Sequence, residues 1–174
     1  MIFSFISSLL LALLLFQATA YAADFAVTSR LGISQDALRK GLEKIGGPVT
    51  FTPRPGSTQG TQEARLPDNA GLVQAGGNMG NLTTIVLWLP VDAKGNLVSM
   101  KARTYLEAVV ANFVSERERI VLWVDEVLKR ALAEVRSTPY LESQLVEKYQ
   151  FKATYIPTLH PQMVSLAITA SSDE

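Results

Sequence analysis

The sequence has a single histidine, His160, which excludes any site needing two imidazoles. It lies in the run Pro157-Thr158-Leu159-His160-Pro161-Gln162, a loop by composition. No spacing in the chain ties it to a serine–acid pair or to a carboxylate cluster. Cysteine is absent, which removes thiolate nucleophiles, thiolate metal sites and disulfides. The expectation is therefore no catalytic residue, no metal and no cofactor.

Other chemistry-bearing patterns fail on spacing. Gly76, Gly77 and Gly80 do not form G-x-G-x-x-G or G-x-x-x-x-G-K-[ST], and a strand rather than a helix follows them. Asp92-Ala93-Lys94-Gly95-Asn96 begins like a calcium loop but lacks the later acidic ligands, so it reads as a hairpin turn. The carboxylates Glu116, Glu118, Asp125 and Glu126 lie among arginines and lysines. Asp125 with Lys129 and Glu126 with Arg130 are spaced for ion pairs on a solvated helix face. What survives is a weaker constellation. Asn78, Met79 and Asn81 combine amides with a soft apolar side chain beside the greasy run that contains Trp88. These four residues are the candidate ligand- or partner-binding lip.

Composition narrows the field further. Sixteen basic and sixteen acidic side chains leave a formal net charge of +0, without the basic field that nucleic-acid binding needs. With 48% hydrophobic residues the chain of 174 is not a disordered one.

Residues 1–22 carry no charged side chain. The run Leu9 to Phe16 is followed by Ala20 and Ala22 in the small-x-small pattern of a signal-peptidase site, so cleavage is expected after Ala22. The greasy stretch from Ile2 to Phe16 is shorter than the roughly 20 residues of a membrane span. Residues 23–174 are expected to form one globular domain, secreted or periplasmic, with no stable membrane span after cleavage. An exported chain without cysteine suits a bacterial envelope.

The elements follow from periodicity. A short strand is expected over Asp24 to Ser29. Ser34 caps a helix whose stripe is Ala37, Leu38, Leu42 and Ile45, closed by Gly46-Gly47-Pro48. Strands are expected over Val49–Pro53, Gln62–Leu66, Gly71–Ala75, Leu82–Leu89 and Leu97–Met100. Between them lie a turn at Pro67–Gly71 and a wide turn at Gly76–Asn81. Ile85-Val86-Leu87-Trp88-Leu89 is apolar on both faces, which predicts a central strand covered on both sides. Lys101 to Arg136 holds no glycine or proline and reads as a long helix. It kinks or breaks near Ser115, where Ser115 and Glu118 match a capping box. A short helix is expected over Leu141–Lys148, then strands Gln150–Ile156 and Met163–Ala170.

The fold class is α+β: a mostly antiparallel sheet of six to eight strands, with one short and one long helix packed mainly on one face. Three functional readings fit. The favoured one is a non-catalytic module of the cell envelope that binds a protein partner or assembles as a homo-oligomer. The alternatives are a carrier or sensor of a small apolar ligand, and a carboxylate- or serine-dependent hydrolase.

Overall fold

A computed structural model describes residues 29–57, 60–134 and 138–171. The expected leader, with Ala20 and Ala22, lies outside the described residues. So does the expected strand from Asp24, except Ser29 at its end.

The first helix, α1 (Gln35–Gly46), starts where its cap predicts. Ser34 Oγ accepts the Ala37 N–H at 3.2 Å, and Asp36 stands in the positive first turn. Leu38 and Leu42 are buried, Ile45 is partly buried, and Ala37 is exposed rather than part of the stripe. Strand β1 covers only Thr52–Pro53 of the expected Val49–Pro53. Strand β2 (Gln62–Leu66) follows, then a tight 3-10 turn at Pro67–Asn69.

Strand β3 (Gly71–Asn78) runs through the glycines expected to form a wide turn. A bulge between Gly76 and Gly77 absorbs them, and the turn is only Met79-Gly80. Strand β4 (Asn81–Val91) leads into the Asp92 hairpin, where Asp92 Oδ1 accepts the N–H groups of Lys94 at 2.8 Å and Asn96 at 2.9 Å. The return strand expected over Leu97–Met100 reduces to one bridge between Leu97 and Val91. Ser99 is taken instead as the cap of α2 (Met100–Val110), accepting the Ala102 N–H at 3.2 Å.

The long helix breaks. After α2, the segment Ala111–Glu116 turns Phe113 and Val114 into the core, and α3 (Arg117–Ala133) begins afresh. The expected capping box does not form. Glu116 stands at the cap position without a side-chain bond, and the Ser115 N–H reaches Glu147 Oε1 at 3.5 Å.

The helix expected over Leu141–Lys148 is instead strand β5 (Tyr140–Val146), paired residue by residue with β6 (Tyr149–Ile156). Burial alternates along β5, and a two-residue turn with Glu147 at φ 56 closes the hairpin. Strand β7 (Gln162–Ala170) completes the sheet.

Among the described residues seven strands lie in the order β1-β2-β3-β4-β7-β6-β5, and every neighbouring pair is antiparallel. With the three α-helices among the described residues this is an α+β fold. β4 is the middle strand, as its apolar run predicted. On the first face of the sheet Val73, Ile85, Leu87, Leu166, Ile168 and Phe151 are buried, and α2 and α3 contact strands β4, β5 and β6. On the second face Val86 and Trp88 are half-buried, beside the buried polar side chains Gln74, Thr154, Ser165 and Thr169.

Candidate functional site

Strand β5 ends the sheet, and among the described residues no strand pairs with its outer side. A helix and a strand meet there through one carboxylate. Arg130, in the last turn of α3, donates from Nε to Glu142 Oε1 at 2.7 Å and from Nη2 to Oε2 at 2.8 Å. The Tyr140 hydroxyl donates to Oε1 at 2.6 Å. The Arg130 hydrogen bonds hold the Glu142 carboxyl below the usual carboxylate range; Tyr140 and the Trp123 indole add smaller pulls against partial burial. The carboxylate in turn raises the Tyr140 hydroxyl and lifts Arg130 above its already high value. An acid fixed in its ionised form by a permanent cation is a clasp, and is poorly suited to passing protons.

Beside this clasp runs an open groove of about 1020 Å³. The segment Ser115–Arg119 and the side chains of Leu122, Trp123 and Glu126 line one wall, and Gln144 of β5 lines the other. Leu122 is 57% exposed. Gln144 Nε2 is buried without a hydrogen-bond partner among the described residues. Gln144 and Glu142 share the first face of the sheet. On the second face of the same strand Leu141 is 41% and Leu145 57% exposed, on either side of the exposed Ser143. Along Leu141–Val146 the strand thus presents an edge that no described strand covers, with apolar side chains flanking it.

Comparison with protein-family models, with curated proteins and with solved structures gives no match. The site is therefore read from its own residues.

The expected lip divides into two places. Asn78 Oδ1 accepts the Gly80 N–H at 2.8 Å, and Asn81 Oδ1 accepts the Gly32 N–H at 3.0 Å. The Met79 carbonyl accepts the Gln35 N–H at 2.8 Å, and the Met79 side chain packs against the core. Met79 and Asn81 pin the entry to α1 onto the β3–β4 turn, and Asn78 closes that turn on itself. Trp88 stands seven residues further along β4, about 24 Å at strand rise. Its indole N–H donates to Gln74 Oε1 at 3.1 Å. The structure does not bring the four together around one pocket.

His160 is exposed in its loop. Among the described residues no group of three or more acids and histidines is placed to hold a metal ion. Asp125 turns to Arg103 of α2 at 3.1 Å rather than to Lys129, while Glu126 does sit 3.6 Å from Arg130. Sequence reasoning missed the β5 edge because it read this strand as a helix. The alternation of Leu141, Ser143 and Leu145 with Glu142 and Gln144 was the available signal.

Proposed function

We propose that the chain is a non-catalytic docking module of the cell envelope, and that it engages another protein chain by strand addition along β5. The observation that supports this is an end strand of seven residues carrying two exposed leucines and no strand on its outer side among the described residues. Such an edge is a template for a further strand, with backbone hydrogen bonds giving affinity and alternate side chains giving specificity. The groove with Leu122 and Trp123 continues the surface on the first face. Export is part of the proposal and rests on the leader pattern of residues 1–22. No helix among the described residues is long and apolar enough to cross a membrane.

A photo-crosslinking amino acid placed at Ser143, in cells making the full chain, tests this reading. The same group at Lys44, exposed on α1, is the reference. Adducts that form from position 143 and not from position 44 are expected. Equal yields, or no adduct from either position, would remove the reading.

A further inference from the structure

The geometry points to a second copy of this chain as the occupant of the edge: β5 pairs antiparallel with β5 of its partner about a two-fold axis at Ser143. This rests on the docking reading above and names the partner.

The two ends of the sheet differ. β1 is two residues long and one of them is Pro53, which blunts that end. β5 has no proline, glycine or lysine, the residues that usually guard an edge. Its one charge, Glu142, is turned toward α3 and held by Arg130.

The strand is also complementary to itself in one register. A two-fold axis at Ser143 sets Leu141 opposite Leu145, Tyr140 opposite Val146, and Glu142 opposite Gln144. Residues directly opposed in an antiparallel pair have Cβ atoms about 4.5–5.5 Å apart. On the second face, the exposed leucines of the two copies cover one another. On the first face, Glu142 stands opposite Gln144 of the partner copy, so no like charges face one another. Symmetry makes each contact twice.

Neighbouring registers lose these matches. A slip of one residue opposes Leu141 to Gln144, apolar against polar, and turns the copies' helices to opposite sides of the joined sheet. A slip of two opposes either Glu142 to Glu142 or Gln144 to Gln144. The first sets like charges together, and each of the two opposes a leucine to Ser143 in place of a leucine.

The absence of native cysteine makes the register directly readable. In the purified full chain, Ser143→Cys is expected to give a disulfide-linked pair at twice the single-chain mass under mild oxidation. Leu141→Cys alone is expected to stay single, and a mixture of Leu141→Cys with Leu145→Cys to cross-link. Light scattering of the unsubstituted chain is expected to give twice the single-chain mass. The exposed-site double variant Leu141→Lys with Leu145→Lys is expected to give the single-chain mass with an unchanged circular dichroism spectrum. Linkage of Leu141→Cys to itself as readily as Ser143→Cys would overturn the register. A single-chain mass together with no Ser143→Cys pair would overturn self-pairing. The docking reading then stands or falls separately, on whether position 143 still yields adducts of another mass in cells.

Discussion

Arg130 and Glu142 meet fork to fork where the end of α3 crosses the edge strand, at 2.7 and 2.8 Å. The pair ties α3 to the β5–β6 hairpin, so the edge strand inherits its position from a side-chain clasp as well as from the sheet. Its carboxyl is held below the ordinary range of about 4.3. A depressed acid contributes stability that is complete above the unfolded value and lost as pH falls through the folded one. Between about pH 6 and pH 3, the denaturation midpoint of the native chain is therefore expected to fall more steeply than that of Glu142→Gln. Parallel curves would dismiss the clasp as a contributor.

The three serines near helix starts separate by what their hydroxyls touch. Ser34 and Ser99 accept N–H groups of α1 and α2, each at 3.2 Å, so Ser34→Ala and Ser99→Ala should each lower stability by about 0.5–2 kcal/mol. Ser115 does not cap α3, and Ser115→Ala should change stability by less than about 0.5 kcal/mol. Urea denaturation of the three variants checks this; a loss at Ser115 matching that at Ser34 would restore the capping box.

Tyr105 is fully buried and its hydroxyl lacks a hydrogen-bond partner among the described residues. Burial raises its pKa. Removing an unpaired buried hydroxyl is neutral or favourable, so Tyr105→Phe should leave stability unchanged or raise it by up to about 1 kcal/mol. The same hydroxyl occupies the space a Cβ at Gly46 would need. Gly46→Ala should cost about 1–3 kcal/mol, and part of that loss should disappear in the Tyr105→Phe background. Strict additivity in the double-mutant cycle would refute the contact.

Gly71 opens β3 at φ +146, and a Cβ there would strike the Trp88 carbonyl of the central strand. Backbone in the middle of a sheet does not yield as a side-chain tip does. Gly71→Ala should therefore cost more than about 2 kcal/mol, read as a lowered thermal midpoint. An unchanged midpoint would show that β3 and β4 are free to part at that corner.

Much of the architecture was legible in residue patterns. Ser34 with Asp36 marked α1, the two-sided apolar run Ile85–Leu89 marked the central strand, and the charge-rich break in the helical stripe marked the gap between α2 and α3. The break itself is made by Phe113 and Val114 turning inward, which no periodicity announces. β5 misled because Leu141, Leu145 and Lys148 also fit helical spacing. An edge strand that carries leucines outward and Glu142 and Gln144 beneath a helix inverts the usual apolar-in pattern. The strand expected at Leu97–Met100 failed for a simpler reason: Ser99 serves a helix better than a ladder. The lip at Asn78, Met79 and Asn81 was read for its polar groups, but Asn78 is occupied in closing its own turn, and Met79 and Asn81 in holding the start of α1.

β4 and β7 lie side by side although the whole helical crossover and two further strands separate them in the chain. The C-terminal strand is thus a keystone, set in the middle of the finished sheet. Until residues 162–170 swing back, β4, the longest of the described strands, stands with one side bare, and closing that loop carries the entropy cost of a non-local contact. Clipping the final ten residues would split the molecule through its centre, where a cut of equal size at β1 would only trim its margin.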